Sequence, residues 1–102
     1  MKKDRKRYVL FQLFLQGSPV DDKQLIRAIR ESLLSLYGEV SVADSRIYLN
    51  EYDPDTGIGI IQCNAASLAK VLTSASILGK IDDTHVSFAP KKTSGTLKSL
   101  GR

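Results

Sequence analysis

Metal ligands, disulfide partners and membrane-spanning runs are scarce in this sequence. It has one cysteine (Cys63), one histidine (His85) and no tryptophan. A single thiol cannot close an internal disulfide, and zinc requires several thiolates or imidazoles. No metal site and no bound cofactor are therefore expected, and the setting is expected to be reducing and cytoplasmic. No apolar run approaches the roughly 20 residues of a bilayer span. The segment Leu10–Leu15 is too short for one and lies far from any small-residue cleavage site, so neither a signal peptide nor a membrane contact is expected. Catalytic constellations are missing too. His85 has no acidic or nucleophilic partner evident in the sequence and Cys63 ends an apolar strand, so both are expected to be structural.

What is present is enough for one compact domain over residues 1–102. At 42% hydrophobic the chain can bury roughly 60 to 70% of its unfolded surface. The net charge of +4 conceals a segregation. The two ends hold nine bases (Lys2, Lys3, Arg5, Lys6, Arg7, Lys91, Lys92, Lys98, Arg102) against Asp4 alone, which is +8. The middle holds six bases (Lys23, Arg27, Arg30, Arg46, Lys70, Lys80) against ten acids, which is −4. Bases clustered in this way suggest a polyanionic partner.

Periodicity then decides whether the ends meet. Lys6–Leu15 reads as a central strand, closed by Gly17-Ser18-Pro19. Asp21 and Asp22 can cap a helix running to about Tyr37, with Leu25, Ile26, Ile29, Leu33 and Leu36 on one face and Gly38 behind it. Its other face carries Lys23, Arg27 and Arg30; Arg27 and Arg30 can extend a basic patch, but a solvated helix face is the stronger expectation. Val40–Tyr52 reads as a strand, joined through Asp53-Pro54-Asp55-Thr56-Gly57 to a strand over Gly57–Cys63. Asn64 can cap a second helix, with Leu68, Val71, Leu72, Ala75 and Leu78 on its apolar face and Gly79 at its end. A fourth strand covers about Thr84–Ala89, and a short helix-like tail covers Thr96–Leu100.

The order β-α-β-β-α-β predicts an α+β, ferredoxin-like (RRM-like) sandwich with an antiparallel sheet in the order 4-1-3-2 and both helices on one face. The fourth strand then runs against the first, which brings the two basic ends to one edge of the sheet. The expected RNA contacts are Arg5, Lys6, Arg7, Lys91, Lys92 and Lys98. Thr93, Ser94 and Gly95 can add amides and hydroxyls at the start of the tail helix to cradle a phosphate, or Ser94 or Thr96 can simply cap that helix.

RNA-recognition motifs share this topology and place aromatic rings on their third strand. Here Thr56-Gly57-Ile58-Gly59-Ile60-Ile61-Gln62-Cys63 keeps the glycine spacing and puts Ile or Cys where the rings belong. Contact is therefore expected to run through phosphates rather than stacked bases. Both faces of the first strand are largely apolar, whereas an open sheet is normally polar on its solvent side. A cover is expected, either the tail or a protein partner, with Tyr8, Leu10, Phe14, Tyr48 and Tyr52 as the candidate contacts. Asp55-Thr56-Gly57 also spells the aspartic-protease signature. In those enzymes apolar residues lead into the aspartate from a strand, whereas Asp55 follows Asp53-Pro54 in a turn, so it is expected to serve the turn.

Lys6-Arg7-Tyr8-Val9-Leu10-Phe11, the run Thr56–Cys63 and Ser94-Gly95-Thr96-Leu97-Lys98-Ser99-Leu100 resemble, in order, three landmarks of the archaeal and eukaryotic ribonuclease P protein component 2, the Pop-five family. The resemblance implies a noncatalytic subunit of the ribonucleoprotein endonuclease that removes 5′ leaders from precursor tRNA. It also implies that the ribonuclease P RNA carries the Mg2+-dependent hydrolysis and that a TIM-barrel protein subunit is a neighbour; a homodimer is a further possibility. The alternatives are a protein-binding adaptor of another ribonucleoprotein and a homodimeric aspartic protease.

Overall fold

The structure, a computed structural model, describes residues 5–100. Lys2, Lys3, Asp4 and Arg102 of the charged ends lie outside the described residues. Five strands, β1 (Lys6–Gln16), β2 (Tyr48–Tyr52), β3 (Ile58–Asn64), β4 (Lys80–Ile81) and β5 (Thr84–Ser94), form one antiparallel sheet in the order β2-β3-β1-β5-β4. Its four longer strands stand in the expected order 4-1-3-2. The two-residue β4 extends one edge by pairing with the start of β5.

Helix α1 (Asp22–Tyr37) starts where the sequence places its cap. The Gln24 amide donates to Asp21 Oδ1 (2.8 Å) and the Asp21 amide donates to Gln24 Oε1 (3.0 Å), which satisfies two amides that the first turn would otherwise leave bare. Leu25, Ile29 and Leu33 are buried against Val9, Phe11 and Leu13 of β1 and Ile61 of β3, joined by Val71 and Ala75 of α3 (Leu68–Ser76). At the centre the Phe11 ring stacks on Phe88 (4.8 Å between centroids) and on Tyr52 (6.2 Å).

Four local expectations are corrected. Val40–Ser45 is not strand but part of a helix, α2 (Glu39–Ser45). The alternation of Val40 and Val42 imitates a strand, yet Val42 packs on the core while Val40 is 74% exposed, and Arg46 closes the helix in the left-handed region (φ 47°). Asn64 caps nothing. Its side-chain amide donates to Asp44 O (2.8 Å), pinning α2 to the end of β3, and a 3-10 turn (Ala65–Ser67) precedes α3. Strand β5 runs past Pro90 to Ser94 because the register shifts between Leu10 and Phe11 leave Lys91 as a bulge, where the missing proline amide is tolerated. The tail is one 3-10 turn, Lys98–Leu100.

A second shift, between Leu49 and Glu51, moves Tyr52 to the helix-covered face, where it pairs with Gly59 and stacks on Phe11. Tyr52 therefore leaves the expected outer aromatic surface. Its hydroxyl is buried with no hydrogen-bond partner, and burial, with Asp21 and Asp53 nearby, raises its pKa. An unpaired buried hydroxyl costs about 1 kcal/mol or more. Tyr52→Phe is thus expected to raise the urea-unfolding free energy by about 1 kcal/mol at neutral pH; a loss of stability would show that the hydroxyl is satisfied in solution.

Candidate nucleic-acid interface

The pairing of β1 with β5 fixes where the basic ends go. Leu10 faces Lys92, Val9 faces Thr93 and Tyr8 faces Ser94, so the start of β1 and the end of β5 lie side by side. On the other flank Lys6 faces Asn64, and the Ala65 amide donates to Arg5 O (2.7 Å), so the arm is tied to the sheet as far as Arg5. Because β1 is central, the bases gather at one end of the sheet rather than along an edge.

Arg5, Lys6, Lys91, Lys92 and Lys98 are exposed, and Arg7 is half-buried. Arg7 donates from Nη1 to Lys6 O (3.0 Å), and the same nitrogen stands 3.4 Å from where a Cβ on Gly95 would lie. Its guanidinium therefore rests on the turn that follows β5, a link that spacing alone could not give. Among the described residues no acid pairs with these six bases. The turn beyond Gly95 satisfies itself: Ser94 Oγ accepts from the Thr96 amide (3.1 Å), and Thr96 Oγ1 accepts from the Ser99 amide (3.2 Å). Thr93 and Ser94 are strand residues that precede the 3-10 turn rather than start it. The available charged donors are Arg5, the Arg7 fork and the lysines.

The other expected residues are dispersed. Arg30 donates to Ile47 O (3.2 Å), bracing the entry to β2, and Arg27 lines a cleft of about 370 Å³ with Gln24, Glu31 and Lys80. Asp55 sits in the hairpin turn, where its amide donates to Asp53 Oδ1 (2.9 Å) and the Gly57 amide donates to Asp53 O (2.7 Å), as a turn residue should. Cys63 is buried, which pushes its thiol up to about 11 despite the nearby Arg7 charge, so it is neutral and unreactive near pH 7. No three metal-ligating side chains group together among the described residues, and no helix among them is long and apolar enough to cross a membrane.

On the outer face of the sheet Phe14 is 53% exposed, with Lys91 Nζ 5.9 Å from its ring centroid, and Tyr48 is 58% exposed. Tyr8 and Leu10 are half-buried. Ile60, whose pairing with Leu10 puts it on this face, is only 1% exposed. Among the described residues Ile60 and Leu100 of the tail are the two buried apolar residues that do not join the core cluster, so Ile60 is shielded on this face while Phe14 and Tyr48 are not.

The family model described as Rpp14/Pop5 matches residues 7–102. The chain is 31% identical over 100 residues to ribonuclease P protein component 2 of Archaeoglobus fulgidus, covering 98% of this chain and 88% of that protein. It is 28% identical over 100 residues to the protein of the same name from Pyrococcus furiosus, covering 98% and 82%. To that of Saccharolobus solfataricus it is 32% identical over 93 residues, covering 91% and 64%. Among solved structures, a chain in the cryo-EM structure of yeast ribonuclease MRP superposes with a TM-score of 0.72 at 12% identity, over 95% of this chain and 79% of that one; that likeness shows the shared fold.

Proposed function

The chain belongs to the Rpp14/Pop5 family, and from that membership we propose that it is a noncatalytic protein subunit of ribonuclease P that binds and stabilises the catalytic RNA for 5′-leader removal from precursor tRNA. The observation that carries the RNA contact is the gathering of Arg5, Lys6, Arg7, Lys91 and Lys92 at one end of the sheet, with Lys98 in the turn that follows β5. Phosphate contacts from such a cluster recognise a backbone or a folded RNA and orient the protein upon it. On this reading Mg2+ belongs to the RNA, and the chain contributes by neutralising phosphates that would repel one another as the RNA compacts. The proposed protein neighbour is the TIM-barrel subunit, with exposed Phe14 as the outer-face side chain best suited to anchor it.

The test is reconstitution of ribonuclease P from its RNA and protein subunits with and without this chain, followed by cleavage of precursor tRNA at several Mg2+ concentrations. The expected result is slower leader removal, or a higher Mg2+ requirement, when the chain is omitted. Equal rates at every Mg2+ concentration would overturn the proposal and favour an adaptor role.

A further inference from the structure

A row of uncharged side chains crosses the outer face at its basic end. Tyr48 on β2 faces Gln62 on β3, Gln62 faces Tyr8 on β1, and Tyr8 faces Ser94 on β5. Paired residues share a face, and adjacent strands lie about 4.8 Å apart, so two tyrosines flank one carboxamide about 10 Å from ring-bearing strand to ring-bearing strand. Lys6 and Lys92 are exposed on the same face, displaced along the strands by two residues from Tyr8 on either side.

Three properties of this row matter. The Tyr48 ring is largely exposed, although a surface tyrosine gains nothing in stability from water contact. The Gln62 side chain, half-buried between the two rings, makes no hydrogen bond to any described residue. Its carboxamide can both donate and accept, as the edge of a nucleobase requires. Finally, Lys6 and Lys92 stand on β1 and β5, while the rings and the carboxamide extend from β1 across β3 to β2. A polyanionic strand held by these two lysines would run along the β1–β5 side with its bases toward β3 and β2.

We propose that Tyr48, Gln62 and Tyr8 form a site for unpaired RNA nucleobases, which stack on the two rings and meet the Gln62 amide while Lys6 and Lys92 hold the flanking phosphates. The inference rests on the RNA-binding reading above and adds a base-contacting surface to its phosphate-contacting one. The rings absent from the third strand are supplied by its two neighbours. At this row a protein partner is a poorer occupant, because the row offers hydroxyls, an amide and flanking ammonium groups, whereas the exposed apolar ring of Phe14 stands farther along β1.

The test uses the full chain and two RNAs: a 5′-labelled unstructured decamer of uridine or adenosine, and a folded ribonuclease P RNA. Tyr48→Ala is expected to weaken decamer binding by roughly 5- to 150-fold, while Tyr48→Phe retains it, as stacking requires a ring and not a hydroxyl. Gln62→Ala should weaken binding and narrow any difference between the adenosine and uridine decamers. Circular dichroism melts establish that each variant is folded. Decamer affinity unchanged by Tyr48→Ala, or no decamer binding by the unaltered chain, overturns the base site. Loss of folded-RNA binding by the unaltered chain at low salt would instead overturn the RNA-binding reading itself.

Discussion

Gly57→Val is expected to destabilise the fold by about 3 to 5 kcal/mol, a large share of the roughly 5 to 15 kcal/mol that holds a domain of this size together. Gly57 immediately precedes β3 and has φ +78°, a region in which a β-branched residue is strained. A Cβ there would also run into the carbonyl oxygen of Leu13 on β1, and that oxygen belongs to backbone that cannot rotate aside. The approach is close because the Leu13 amide donates to Gly57 O (2.7 Å), the last rung that ties the hairpin to the central strand. Relieving the overlap would break this rung and shift the hairpin off β1. Gly79 is the control: nothing lies within 4 Å of its would-be Cβ, so Gly79→Ala should alter stability by less than about 1 kcal/mol. Urea unfolding of the two variants provides the measurement, and similar midpoints would show that the hairpin seats on β1 less tightly than the structure has it.

Gly59 extends the same argument. Its Cβ would come within 2.6 Å of both Glu51 O and the Phe11 ring. The Gly-Ile-Gly run, which resembles the third strand of an RNA-recognition motif, thus has a packing reason at each glycine: one for the seat on β1, one for the Phe11 ring.

How far the sequence discloses the rest depends on the range of the signal. Helix α1 is legible because Leu25, Ile29 and Leu33 recur at helical spacing behind a capping aspartate, and every one of these signals is local. The convergence of the basic ends is legible because topology alone pairs the last long strand with the first. Helix α2 is not, since two valines at i and i+2 fit a strand as well as a seven-residue helix whose burial is decided by the sheet beneath it. The two register shifts are not legible either. Pro90 argues for a strand end at Ala89, and only the pairing with β1 shows that a bulge at Lys91 absorbs it. The shift in β2 has a wider effect, because it separates Tyr48 from Tyr52 and gives one ring to the surface and the other to the core. Gln62 carries a signal that could have been weighed: it is the only strongly polar side chain between Ile58 and Cys63, on a strand whose neighbours are apolar.

Replacing Lys6, Lys91 and Lys92 together with alanine is expected to weaken binding to folded ribonuclease P RNA by on the order of 100-fold at 0.1 M salt, with the difference shrinking as salt approaches 1 M. All three are exposed, so the loss should be electrostatic rather than a consequence of unfolding. If the six described bases each neutralise one phosphate, the slope of log affinity against log salt is about −4 to −5, and removing three should bring it to about −2 to −3. Lys80 supplies the comparison. It pairs with His85, which faces Gln16 at the far end of β1, about 26 Å along the strand from Tyr8. That distance exceeds the screening length of about 10 Å at 0.1 M salt, so Lys80→Ala should leave both affinity and slope nearly unchanged. Equal effects of the triple and the Lys80 substitutions would mean that the protein is attracted by net charge alone. A triple variant with unaltered affinity and slope would place the contact elsewhere on the chain. Only a local contact at the basic end makes the slope depend on which lysines are removed.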